Sequence, residues 1–430
     1  MRRRFDTQSR TRPAQTRPAG RLPGGNVDGR SLTTRIVVPL GLGTALSLMG
    51  DATLYVVLPT HTAEASISLA SVGILLGVNR AVRLLTNGPA GVAYDRWPRR
   101  WLFVPSLFLG ALSTALYAAT RGFWPLMVGR LLWGLAWSGI WVGGATVILD
   151  VTTSEDRGRL TGLYQIWFFL GAGFGALAGG MLTDRVGYTA TMWIAAGLTA
   201  LGGLAAWIWL PETRGMRQND AVLRSSWDGP KLGANHRLWL AASLQAANRF
   251  MIAGVLMATM GLLVQDRLNA AGALLGMATL TGLLTAGRSA LSMLAAPVAG
   301  AASDRLGSRW RVSAWALAIG AVGMALAAQS APAAILTGIA LAAAASGGIQ
   351  TLTTALTGDL VSPEQRGRAI GLLHTAGDLG SAIGPPVAYA LLPWLSLTGV
   401  YGVCAAVFAA QLLALLWFQS RQPQLTGFRR

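Results

Sequence analysis

This 430-residue chain has little charge: Asp, Glu, Lys and Arg make up 12% of it, about half the ~25% of an ordinary soluble domain. With 53% hydrophobic residues and a mean hydropathy of +0.48, the shortage excludes a water-soluble globule and indicates a membrane protein. Lysine is almost missing. Lys231 is the only one, so the 35 basic residues are nearly all arginine; with the many Ala and Gly, this suggests a GC-rich bacterial genome. Acids number 17, which leaves a net charge of +18. Such an excess would suit nucleic acid, but the arginines are dispersed and no compact basic domain grips a phosphate backbone. Cys404 stands alone, which excludes an intrachain disulfide. The three histidines, His61, His236 and His374, lie far apart. No metal-ligand spacing, nucleotide-binding glycine loop or nucleophile motif occurs, so neither a metal nor a cofactor is expected. A membrane-embedded acyltransferase is the enzyme alternative. His374 and Asp378 fall one residue short of the spacing it would need, and an enzyme is not expected.

What the chain does have is a series of long apolar runs. A helix needs about 20 apolar residues to cross a bilayer. Twelve such segments can be placed, near 36–60, 68–92, 101–119, 123–149, 160–182, 189–210, 238–263, 272–299, 310–328, 331–357, 367–391 and 397–419. They predict an all-α polytopic membrane protein in five parts: a disordered basic tail (1–34), a six-helix bundle (35–210), a linker (211–237), a second six-helix bundle (238–420) and a short tail (421–430). The first tail is rich in Arg, Pro, Thr and Gly and has too little apolar surface to fold. It lacks the cleavage site of a signal peptide and reads as a segment resting on anionic lipid. Of the 35 basic residues, 27 fall in the tails, the linker and alternate loops, while the opposite loops hold only Arg121, Arg185 and Arg267. By the positive-inside rule both termini are cytoplasmic. The expectation is a monomeric multi-pass protein of a bacterial inner membrane, with the lipid bilayer around it.

The chain also repeats itself. "GVAYDRWPRRW" (Gly91 to Trp101) returns as "GAASDRLGSRW" (Gly300 to Trp310), and Gly91, Asp95, Arg96 and Arg100 fall on Gly300, Asp304, Arg305 and Arg309. "DVTTSEDRGRLTGL" (Asp150 to Leu163) returns as "DLVSPEQRGRAIGL" (Asp359 to Leu372), with Glu155 and Arg157 on Glu364 and Arg366. The offset is 209 residues each time, and it also carries Gly171 and Gly175 onto Gly380 and Gly384. Self-similarity of this kind means a duplicated structural unit, and two six-helix halves in parallel orientation are one known transporter plan. The loop from Gly91 through Asp95, Arg96, Arg99 and Arg100 resembles the G-x-x-x-D-R-x-G-R-[RK] signature of the major facilitator superfamily. Arg130 and Gly134 resemble a motif common in its proton-coupled members. "PETRG" (Pro211 to Gly215) is a further feature shared with that family. "GAGFGALAGG" (Gly171 to Gly180) resembles its antiporter signature, with Ala176 where that signature has proline. The resemblance is to the drug:proton antiporter-like members and implies a two-domain transporter working by alternating access. It further implies that Asp95 faces the start of the eleventh helix and Asp304 the start of the fifth. Glu155 and Glu364 would pair with loop arginines, and the set would latch the cytoplasmic gate. An acid at a helix N-terminus gains about 0.3–1 kcal/mol from the backbone dipole.

Ionisable groups inside a bilayer are costly and normally face a cavity or one another. Here they are Asp51, Arg80, Arg83, Arg130, Arg249, Arg288, His374 and Asp378. Asp51 and Arg80 lie at similar depth on neighbouring helices, so an Asp51–Arg80 ion pair is expected. It is either a permanent bridge or a site where Asp51 exchanges a proton as Arg80 moves. His374 and Asp378, four apart on one helical face, are the second proton-site candidate, or a polar pair across a helix interface. Trp133, Trp137 and Trp141 recur every four residues on the face of Arg130. They are either packing or, since the family lines its cavity with helices one, four, seven and ten, an apolar cavity wall. Gln245, Asn248 and Arg249 on the seventh helix and Gln350 and Thr354 on the tenth would supply the other wall. The cargo is then a small molecule moved with protons. Export of amphipathic or drug-like compounds is the first reading. Five intramembrane arginines against two aspartates favour the alternative, an organic anion, lysolipid or sugar.

Overall fold

The computed structural model describes residues 29–152, 157–214, 235–268, 275–361 and 365–421. Most of the expected N-terminal tail, most of the linker and the last nine residues therefore lie outside the described residues. So do Glu155 and Glu364, together with the side chains of Arg157 and Arg366. Their expected loop pairings fall there too.

The described residues are helical almost throughout. Helix α1 is Gly29–Val57, which begins inside the stretch expected to be disordered. Helices α2 (Leu69–Arg96), α3 (Arg99–Ala119) and α4 (Phe123–Val151) follow. Arg157–Trp209 is continuous in hydrogen bonding but breaks at Gly187, where φ is +81°; we call its two arms α5 and α6. Helix α7 spans His236–Leu268 and contains two π-helical stretches, Arg249–Leu256 and Val264–Leu268. Helices α8 (Met277–Arg305), α9 (Arg309–Ala327) and α10 (Pro332–Leu360) come next. Arg366–Arg421 breaks at Ser396 (φ +53°) into α11 and α12. Gly187 and Ser396 are themselves 209 residues apart, so the duplication extends to the reverse turns. Among the described residues nine helices are long and apolar enough to cross a bilayer. The two broken ones cross twice each, and α8, 29 residues long but more polar, is the twelfth.

Packing between the helices rests on small residues. Lipid tails remove any hydrophobic drive between helices in a bilayer, so close backbone approach supplies the contact. Gly171, Gly175 and Gly179 lie every four residues along α5 and leave no room for side chains against Ala45, Met49 and Thr53 of α1. Gly380 and Gly384 do the same on α11 against Ala246 and Gly254 of α7. The duplicated glycines thus pack the first and fifth helices of each half together.

The two halves meet along α2–α11 and α5–α8. Gly73 and Gly77 of α2 press on the Pro385 and Ala382 carbonyls, and Gly282 of α8 presses on the Ala176 carbonyl. These contacts sit toward the end of the bundle away from the repeated loops. Toward the loop end, called here the signature face, Gly88 and Gly91 of α2 and Gly287 of α8 have nothing within 4 Å. The halves are therefore closed on the opposite face and apart on the signature face.

Candidate functional site: a two-walled central cavity

A cavity of about 200 Å³ lies between the halves. On its N-terminal side Leu48 and Ala52 of α1, Trp133 and Trp137 of α4, and Phe168, Phe169 and Ala172 of α5 form an apolar face, beside Asp51 of α1 and Asn79, Arg80 and Arg83 of α2. Trp133 stacks on Trp137 at 5.9 Å between ring centroids, and Trp137 on Trp141 at 5.7 Å. Phe168 closes on Trp141 at 5.2 Å. Trp133 and Trp137 face the cavity, while Trp141 supports them from behind. The C-terminal wall is mostly polar, with Arg249 of α7, Thr285, Arg288, Ser289 and Ser292 of α8, Ser346 and Gln350 of α10 and Ser381 of α11, beside Ile252, Ala253 and Met257 of α7. A molecule with an apolar body and a polar end fits this division.

The expected Asp51–Arg80 pair is not formed. Asp51 accepts instead from Arg130 at 2.5 Å; the Arg130 side chain is fully buried and that of Asp51 is 16% exposed. Arg130 stands behind the cavity wall. It also donates to the Leu75 carbonyl at 2.8 Å and to the Tyr55 hydroxyl at 3.3 Å. Arg80 turns away into the other half, donating to the Ala253 carbonyl at 2.6 Å and the Ser381 carbonyl at 3.1 Å. The cause lies in α2 itself. Gly73, Gly77 and Arg80 share one helical face, and the two glycines bring that face against α11. Ala253 belongs to the π-helical stretch of α7, a local widening that recurs at functional sites.

His374 and Asp378 are likewise not a pair. Asp378 accepts from Arg83 at 2.6 Å, across the interface between halves, and His374 is exposed. Two other expected cavity residues turn inward. Gln245 accepts from the Thr353 hydroxyl at 3.1 Å, and Asn248 donates to the Ser346 carbonyl at 3.4 Å, so both tie α7 to α10. Thr354 is exposed and donates to the Gln350 carbonyl. Phe168, Phe169 and the serines of α8 and α10 escaped the sequence reading. The aromatic run Tyr164–Trp167–Phe168–Phe169 was the available signal.

Both intramembrane aspartates are thus committed to arginines, Asp51 in the cavity lining to Arg130 and Asp378 to Arg83. Arg249 and Arg288 form no ion pair among the described residues. The Arg249 side chain makes no hydrogen bond or ion pair among the described residues, and that of Arg288 reaches only the Ser289 hydroxyl at 3.4 Å, its Nε buried without a partner. Burying a cation unpaired is costly unless something arrives to pair it.

At the signature face, Asp95, Arg96, Asp304 and Arg305 are exposed. Neither carboxylate has a hydrogen bond or ion pair among the described residues, so the expected contacts with α11 and α5 are not formed among them. The remaining loop residues brace each half internally. Arg99 donates to Asp150 at 2.7 Å, and Arg309 lies 2.7 Å from Asp359, though off the line of a hydrogen bond. Arg100 donates to the Trp207 carbonyl of α6. Glu212, in the "PETRG" stretch, accepts from the Arg99 and Arg100 amides at 2.9 and 3.1 Å and so caps α3.

Comparison with known proteins agrees with this architecture. The chain matches the profile of the Major Facilitator Superfamily over residues 40–278 and 238–430. It is 28% identical to Citrate exporter 1 of Aspergillus niger over 187 residues, 43% of this chain and 35% of that protein. It is 34% identical to the class C tetracycline resistance protein of Escherichia coli over 110 residues, 26% of this chain and 28% of that protein. The chain thus aligns with about a third of the length of these relatives. Among solved structures, a bacterial homologue of the human lysosomal transporter Spinster, inward-facing and unoccupied, superposes with a TM-score of 0.77 at 16% identity, covering 94% of this chain and 100% of that one. The nucleoside transporter NupG gives 0.72 at 14% identity, covering 89% and 98%. Identities this low speak to the fold alone. With the profile match running across both halves, the chain belongs to the Major Facilitator Superfamily and is a multi-pass membrane transporter, not an enzyme.

Proposed function

We propose that this protein carries an amphipathic organic anion together with a proton across a bacterial cytoplasmic membrane, with the signature face on the cytoplasmic side. One observation carries the reading. The cavity sets two guanidinium groups without acid partners, Arg249 and Arg288, opposite an aromatic wall. The anionic end of the cargo would lie between those arginines and the serines beside them, with its apolar body against Trp133, Trp137 and Phe168. Asp51 would hold the proton. It lines the cavity, whereas its partner Arg130 is buried behind it, so a proton entering with the cargo reaches the acid first. Neutralising Asp51 removes the negative charge nearest to an incoming anion, and by linkage each ligand then favours the other. Proton and anion would move in the same direction.

A second reading has its own support. The α5 stretch that resembles an antiporter signature forms the α5–α8 seam, and the relatives above include a citrate exporter and a tetracycline resistance protein. It makes the protein an exporter of drug-like molecules in exchange for protons. Proteoliposomes with an imposed pH gradient separate the two. The cargoes are an aromatic carboxylate, its neutral amide and a lipophilic cation of similar size. Accumulation of the carboxylate on the alkaline side is the expected result. Expulsion of any of the three against the proton flow would establish the exporter, and preference for the cation would overturn the anionic reading.

A further inference from the structure

The stretch from Gly180 to Gly187 is a third copy of the loop signature. Gly91, Asp95, Arg96 and Pro98 fall on Gly180, Asp184, Arg185 and Gly187 at a constant offset of 89 residues. Helix α2 runs toward the signature face and α5 runs away from it, so this copy stands at the opposite end of the bundle. There it is engaged. Asp184 belongs to the N-terminal half and its carboxylate meets the first turn of α8 in the C-terminal half. It accepts from the Ala278 amide at 3.2 Å, the Thr279 amide at 2.7 Å and the Thr279 hydroxyl at 2.6 Å. Gly180, one turn earlier, backs onto the Ala278 carbonyl with no room for a side chain.

Helix α8 depends on this contact in a way that its counterpart does not. The first amides of any helix lack partners within the helix. Under the 209-residue repeat α8 corresponds to α2, which caps itself: the Ser68 hydroxyl accepts from the Ser71 amide at 3.3 Å. The N-cap of α8 is Gly276, which has no side chain to offer. A side chain there would also collide with Asp184. The cap of α8 is therefore supplied by the other half, and only while the two halves are closed on this face. Among the described residues the carboxylates of Asp95 and Asp304, at the open face, have no partner.

We propose that Asp184 is the latch of the face opposite the signature loops, formed in the present state and broken when the transporter opens to that side. It is a positioning residue: it touches no cargo and sets which face is closed. The proposal rests on alternating access of two halves but on neither the cargo nor the coupling proton.

The test reads conformation. Spin labels on Glu64→Cys and Ser330→Cys, exposed positions of the two halves on the opposite face, report the gap between them in nanodiscs. Asp184→Asn should raise the ratio of open to closed distances about fivefold, the worth of about one charge-assisted contact at a helix end. Gly276→Ser gives α8 a cap of its own and displaces Asp184, and should shift the ratio equally with no loss of thermal stability. The double variant should match either single one. If Asp184 were only a cap for α8, Gly276→Ser would leave the distances unchanged and would restore them in the Asp184→Asn background. That result would overturn the latch. Should Asp184→Asn prove too unstable to purify, Gly276→Ser alone decides, because α8 remains capped. A shift in distances accompanied by no anion transport would leave the latch standing and count against the proposed cargo instead.

Discussion

Asp51→Asn is the single change that says most about coupling. Asparagine has the shape of a protonated aspartate, and its amide oxygen still accepts from Arg130, so the contact between α1 and α4 persists while one negative charge leaves the cavity. A sphere of about 200 Å³ is about 7 Å across, which bounds the separation of Asp51 from a bound anion. Two unit charges about 7 Å apart at an effective dielectric constant of ~20 repel by about 2.4 kcal/mol. Arg130, 2.5 Å behind Asp51, offsets part of this. About 1.4 kcal/mol remains, or tenfold in affinity. The variant should therefore bind an aromatic carboxylate about tenfold more tightly than the wild type. In proteoliposomes it should exchange labelled cargo in the absence of a gradient yet fail to concentrate it when a pH gradient is imposed. Unchanged affinity with full accumulation, together with loss of accumulation in Asp378→Asn, would refute the reasoning and move the proton to α11. Misfolding of Asp51→Asn would mean that the Asp51–Arg130 pair is a permanent bridge, since breaking a buried pair costs about 3–5 kcal/mol.

Arg288→Ala should weaken binding of the carboxylate about 10- to 100-fold, one charge-assisted hydrogen bond being worth ~1.5–3 kcal/mol. The same variant should raise the melting temperature of the unliganded protein, because an unpaired buried cation is removed; a lower melting temperature would show that Arg288 is structural. Trp137→Ala should cost about tenfold in affinity for an aromatic anion and leave a short aliphatic carboxylate unaffected, as measured by competition binding. Asp95→Asn should leave affinity unchanged while slowing flux several-fold, because the Asp95 carboxylate has no partner among the described residues in the present state and acts only when the signature face closes.

The spans were legible because the bilayer selects for the very property that a hydropathy reading measures. Each of the twelve expected segments coincides with a helix, with ends shifted by a few residues. The duplication was legible because parallel repeats keep a constant offset, and Gly187 and Ser396 show that it holds even at the turns. Pairing of the buried charges was not. Position along a helix fixes the depth of Asp51 and Arg80 and leaves free which neighbour each one faces. That second coordinate comes from Gly73 and Gly77, which turn the Arg80 face of α2 toward α11. The same contact places Arg83 beside Asp378, and a cation arriving from another helix displaced the expected partner one turn away. Gln245 and Asn248 looked like cavity residues because polar groups in a span usually face one. The Thr353 hydroxyl and the Ser346 carbonyl bind them inside the C-terminal half instead.

The third signature copy was missed for a related reason. A search at 209 residues carries Asp184 onto Pro393, where there is no acid, and so the match is invisible to the parallel repeat. The offset of 89 residues belongs to a different symmetry, in which α2 and α5 run in opposite directions across the membrane. That symmetry places the same residues at opposite ends of the bundle, as a protein that closes alternately at each end requires. It is also incomplete. The α5–α8 seam joins its halves through Asp184 and the bare N-terminus of α8, whereas the α2–α11 seam has a self-capped α2 and joins them through Gly73, Gly77 and the Arg83–Asp378 ion pair. Each seam thus carries a charged contact between the halves, and only that of α5–α8 also caps a helix.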